Sequence, residues 1–126
     1  PTAHNLRILD YHQTTGLKAT DDETAWCAAF VGFCLRQAFI NGTKKANARS
    51  YLTWGQELAQ PRLGAIAVLW SGRRDGWQGH VGFVLGFDQH GVSLVAGNQG
   101  DQVSVKTFPM DRVLGYRWPL TLDRFI

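Results

Sequence analysis

At Pro61 the chain changes its hydrophobic rhythm, and that change limits the folds open to it. Beyond this point apolar residues recur at every second position in GAIAVLW (64–70), HVGFVLGF (80–87), VSLVAGN (92–98), QVSVKTF (102–108) and VLGYRW (113–118). A period of two is that of a β-strand, and the linking pieces SGRRDGWQG, DQHG and QGD are rich in turn residues. Before Pro61 the spacing is helical. HNLRILDYHQTTG (4–16) reads as a short helix capped by Asn5 and stopped at Gly16. Trp26, Phe30, Val31, Cys34, Leu35 and Ala38 then keep helical spacing up to Asn41-Gly42, and a shorter helix is expected from Ala48 to Trp54. Helices followed by an antiparallel sheet make an α+β fold, and 126 residues make a single domain, 1–126, with a core of its own.

Two starts compete for the long helix. Thr20 and Glu23 fit a capping box, while Thr24 would serve as a simple cap. The apolar spacing favours Thr24, which puts Cys27 in the first turn. Cys27 and Cys34, the two cysteines of the chain, are seven residues apart. On one helix their Cα atoms stand about 10 Å apart, beyond the roughly 7 Å a disulfide allows.

Several function classes are excluded. The net charge is +3 with scattered arginines, and the basic doublets Lys44-Lys45 and Arg73-Arg74 form no stripe, so no nucleic-acid partner is expected. No apolar run approaches the roughly 18 residues of a membrane span. No signal peptide is visible, and the chain opens on PTAHN without an initiator methionine, as a trimmed domain or processed form would. His4, His12, His80 and His90 stand in no HExxH pattern and the cysteine spacing is not that of zinc, so neither a metal nor a cofactor is expected. GNQGDQ (97–102) is a turn rather than a phosphate loop, because it leads into a strand without a following Lys-Ser/Thr.

A cysteine–histidine pair fits better. Near a helix start, unpaired amides and the helix dipole favour a Cys27 thiolate. His80 opens a strand, on the face with Gly82, Val84 and Gly86, which is less apolar than the face of Val81, Phe83, Leu85 and Phe87. Asn98 ends the next strand and is placed to orient the imidazole. Register decides whether they meet. A hairpin loop of Gln89-His90-Gly91 gives paired residues an index sum of 180 and makes His80 and Asn98 diagonal neighbours; Asp88-Gln89-His90 gives 178 and sets them opposite. Gly91 favours the first, and a four-residue loop would separate their faces unless a bulge intervened. By spacing alone, a buried structural cysteine and an ordinary turn asparagine stand as even alternatives to the triad.

The stretches ETAWCAAFVGFCLRQAF, PRLGAIAVLW, GHVGFVLG, AGNQGD and VLGYRWP resemble the bacterial and phage cell-wall hydrolases related to CHAP domains, over roughly residues 4 to 119. The most specific parts are WCAAFV and GHVGFV. The resemblance implies a papain-like fold, with N-terminal helices packed on a five- to six-stranded antiparallel sheet, and cleavage of an amide bond in or at the peptidoglycan stem peptide. It assigns Cys27 as nucleophile, His80 as general base and acid, and Asn98 as the orienting residue. Glu23, Trp26, Trp77 and Gln99 become candidate substrate contacts, Glu23 also being suited to holding the helix start. One departure is that no glutamine precedes Cys27 to help hold an oxyanion, which leaves the Cys27 amide as the expected donor. The expected partner is peptidoglycan, met as a monomer in the cell wall or periplasm after lysis, through a secretion system or as part of a larger protein. A phage lysin and an interbacterial toxin both fit, the toxin bringing an immunity protein. The other classes open are a non-catalytic wall-binding module and a papain-like protease or acyltransferase acting on proteins.

Overall fold

The computed structural model describes residues 23–98 and 102–120, with side chains from 26 to 97 and from 102 onward. The helix expected at 4–16 lies outside them. Helix α1 spans Glu23–Gln37. A 3-10 turn follows at Ala48–Thr53, capped by the Asn47 side chain, which accepts from the Arg49 amide. Among the described residues there are six strands: β1 Gln56–Leu58, β2 Ile66–Trp70, β3 Gly79–Phe87, β4 Gly91–Asn98, β5 Gln102–Pro109 and β6 Val113–Trp118. All pairings are antiparallel and the order is β1-β6-β2-β3-β4-β5. The architecture is α+β.

This order cannot lie flat. Four strand spacings separate β5 from β6, about 19 Å in a planar sheet. Only Met110–Arg112, a single 3-10 turn, joins them, and at about 2 Å rise per residue such a turn covers less than half that distance. The sheet must therefore curl until its fifth strand approaches its last. The concave side encloses a cluster of Ala65, Ala67, Leu69, Val84, Val92, Leu94 and Tyr116, with Leu58, Phe108, Met110, Val113 and Trp118 packed against it. Every strand contributes. On the convex side α1 packs against β3 and β4, and its residues Cys27 to Val31 are buried without a break. They share a second cluster with Tyr51, Ile66, Val68 and Val81. Among the described residues no helix is long and apolar enough to cross a membrane.

Three expectations change. Helical residues already include Glu23 and Thr24, so Thr24 is not the cap and Cys27 stands beyond the first turn. At the other end α1 stops before Asn41-Gly42. The Ile40 amide donates to the Leu35 carbonyl, and Phe39 takes a left-handed φ of 62° with its side chain 99% exposed. Third, β1 is absent from the sequence pattern, because three residues at a sheet edge carry no alternation to read.

The curl is open to a direct test. Leu94→Ala should cost about 2–5 kcal/mol, as for any well-packed leucine, although no helix covers its face of the sheet among the described residues. Val105→Ala, on the half-exposed edge strand, should stay within about 0.5 kcal/mol. Urea denaturation of both variants measures the difference, and a flat sheet would make both small.

Candidate active site

Cys27 reaches the sheet through α1. A Cβ built on Gly97 would lie 2.7 Å from Phe30 Cβ and 3.0 Å from the Trp26 carbonyl oxygen, so only a glycine lets the helix backbone settle this close to β4. The contact fixes the residue before Cys27 against the residue before Asn98. Cys27 is fully buried, and Val81, the residue after His80, belongs to the same cluster. Cys34 is only partly buried and no disulfide joins the two. Residues Cys27 to Val31 are buried in succession, whereas Phe33 and Cys34 further along α1 are only partly so. Glu23, the first described helical residue, stands four residues before Cys27, the spacing of one intrahelical hydrogen bond.

Register brings His80 to the same end. Next to the turn, Phe87 pairs with Val92 and Gly86 with Ser93, an index sum of 179; past a bulge at Leu85, Val84 pairs with Leu94 and Phe83 with Val95, a sum of 178. Continued to the strand ends, 178 sets position 98 opposite position 80. The turn is thus wider than Gly91 suggests, and the bulge corrects its offset to the register of the opposed arrangement from Val84 to Phe83. Asp88 explains the wider turn: its carboxylate accepts from the amides of His90 and Gly91, and these bonds hold it below the usual carboxylate range.

The His80 side chain is 5% exposed. It pairs across to Leu69 and its ring centre lies 5.1 Å from that of Phe108, both residues of the concave cluster. The face expected to be the less apolar is thus also buried, because the curl turns it inward. Cys27 thus belongs to the helix-side cluster, while the His80 ring packs on Phe108 of the concave one. Beyond Phe108 the Arg112 guanidinium lies 5.9 Å from that ring and 4.8 Å from the Trp70 ring, and its Nε donates to the Trp70 carbonyl. Phe108 carried no signal in the sequence beyond its strand pattern.

The remaining candidates divide. Trp77 is 61% exposed in the loop before β3, whereas Trp26 is half-buried against the helix-side core. Asn98 closes β4, paired with Gln102, and Glu23 opens α1. Gln99 lies outside the described residues. Among the described residues no group of three or more His, Cys, Asp or Glu side chains comes together as a metal would need.

Fold and site define a class: an α+β domain whose helix-borne cysteine and strand-borne histidine share one end of an antiparallel sheet. Residues 19–98, from before α1 to the end of β4, match the CHAP domain, and the chain belongs to that family. CHAP domains are generally hydrolases acting on peptidoglycan. No curated protein and no solved structure matches the chain.

Two outcomes follow from this geometry. Gly97→Ala should cost about 1–3 kcal/mol by overpacking, whereas Gly86→Ala, with nothing within 4 Å of the added carbon, should change stability by less than about 0.5 kcal/mol; thermal unfolding compares them. Tyr51 is 1% exposed, and burial pushes its phenol up despite hydrogen bonds from Thr43. A raised acid keeps its full contribution below the unfolded value near 10 and loses it as pH rises through the folded one. Stability measured by circular dichroism should therefore fall above that pH, and Tyr51→Phe should shallow the fall.

Proposed function

We propose that this CHAP domain has a papain-like fold and cleaves an amide bond in or at the peptidoglycan stem peptide by a thiol mechanism. The observation that carries the reading is the Gly97 contact, which seats the start of the cysteine helix at the end of the sheet where β3 presents His80. His80 takes the Cys27 proton, and the thiolate attacks the stem-peptide carbonyl carbon. The new carbon–sulfur bond replaces the carbon–nitrogen bond, and the departing amine takes the proton from His80. A water deprotonated by His80 then attacks the thioester, releasing a carboxylate and returning the thiol. Asn98 orients the imidazole from the opposed position on β4. Trp77, exposed between Arg73-Arg74 and the His80 strand, forms one wall of the substrate groove, and the arginines suit a polymer that carries carboxylates. Trp26 and Glu23, at the helix start, and Gln99, next to Asn98, complete the substrate contacts.

Purified protein incubated with cell-wall sacculi should release fragments, and mass spectrometry of the muropeptides identifies the bond cut. EDTA should leave the rate unchanged. His80→Ala should lower it by about a hundredfold or more, Cys27→Ser should abolish it, and Asn98→Ala should hurt least. A wall-binding module would sediment with the sacculi and release nothing.

The two cysteines give a separate readout. Exposure alone favours modification of Cys34, since Cys27 is the more buried. Brief iodoacetamide treatment near neutral pH should nevertheless label Cys27 first, because the thiolate is the reacting form, and His80→Ala should slow that labelling. Cys34 reacting first in folded protein would sink the thiol mechanism.

A further inference from the structure

The loop from Ser71 to Gln78 carries Trp77 and delivers the chain into Gly79 and His80. Its backbone is held by one side chain from elsewhere. Arg49, in the 3-10 turn, donates from Nε to the Gln78 carbonyl at 2.8 Å, from one terminal nitrogen to the Arg74 carbonyl at 2.8 Å, and from the other to the Arg73 carbonyl at 2.7 Å. A guanidinium is a planar fork of fixed donors, so three such bonds define both the position and the orientation of the loop. Two of these carbonyls also close the loop on itself, Arg73 accepting from the Gly76 amide and Gln78 from the Ser71 amide. Gly79 completes the fit: a Cβ there would lie 3.1 Å from Arg49 Cγ and 2.7 Å from the Leu69 carbonyl oxygen.

Arg49 is itself anchored. Its amide is bonded to the Asn47 cap, and the 3-10 turn packs on β2, β3 and β6. On its far side the loop is tied again, Arg74 donating to the Asp111 carbonyl at 3.3 Å, the same carbonyl that accepts from the Trp70 indole.

We propose that Arg49 is a positioning residue for catalysis, which sets the approach of His80 to Cys27 by fixing the loop that enters β3. The proposal rests on His80 acting as base toward Cys27. Because His80 is the second residue of β3 and follows directly on this loop, the conformation of residues 73–79 bears on where the imidazole stands. Displacing a reacting group by about 1 Å costs on the order of a hundredfold in rate. Arg49 has no part in the chemistry, since its three nitrogens are directed to the loop.

The test uses the full chain with Arg49→Gln, Arg49→Lys and His80→Ala, reading sacculus digestion, thermal unfolding and the rate of Cys27 alkylation against pH. Both Arg49 variants should lose about tenfold or more in digestion well below their unfolding temperature. Their alkylation profile should move toward that of His80→Ala. Lysine should recover less than half of the loss, because one nitrogen cannot span three carbonyls. Variants that unfold earlier but keep the wild-type digestion rate and alkylation profile would overturn the proposal while leaving the thiol mechanism intact. If His80→Ala itself leaves the alkylation profile unchanged, the catalytic reading fails and the role of Arg49 falls with it. Hydrogen exchange on the wild-type protein needs no variant to fold: the amides of Gly76 and Ser71 should be protected, and exchange at the rate of an unstructured peptide would overturn the clamp.

Discussion

The shortness of the link between β5 and β6 governs this domain. A single 3-10 turn ties the edge of the sheet to a strand four places away, and the sheet answers by curling. The contact between His80 and Phe108 is an independent sign of it. Phe108 pairs with Val92, and Val92 with Phe87, seven residues along β3 from His80 and about 23 Å away in an extended strand. Their rings nevertheless stand 5.1 Å apart, because β5 swings back across the concave side.

The curl divides the core into two parts with different duties. The concave cluster closes the sheet on itself and surrounds the histidine. The convex cluster receives α1 and settles where its first turns lie. The two parts meet at the end of the sheet, where Gly97 admits the helix backbone on one side and Leu69 lies opposite His80 on the other. The start of α1 is placed by packing and the loop before β3 by hydrogen bonds from Arg49, so the two depend on different regions of the chain.

Much of the fold was legible in the sequence because alternation is a local property. Each of the five expected strands appears within two residues of its predicted bounds, and the strand at 113–118 coincides with β6. β1 was illegible because its membership is decided by pairing with β6 rather than by its own pattern. The opposed register was within reach but was missed, since Gly91 argued for a three-residue loop and nothing marked Leu85 as a bulge. Cys27 and His80 could be proposed from residue type and position. Their burial could not, because it depends on which side of a curled sheet each element takes. Arg49 gave no signal at all: its role exists only once residue 49 stands beside residues 73–78.

The last strand does not lie at the edge. β6 sits between β1 and β2, so the match to the CHAP domain, which ends at residue 98, stops well before the sheet is complete. On a ribosome the cysteine helix, the histidine strand and the clamped loop all emerge before residue 113. Until β6 inserts, β1 has no neighbour and β2 has an open edge. The sheet beneath these three elements therefore closes only after all of them have been made. The order of translation itself thus separates making the cysteine helix and the histidine strand from completing the sheet that holds them.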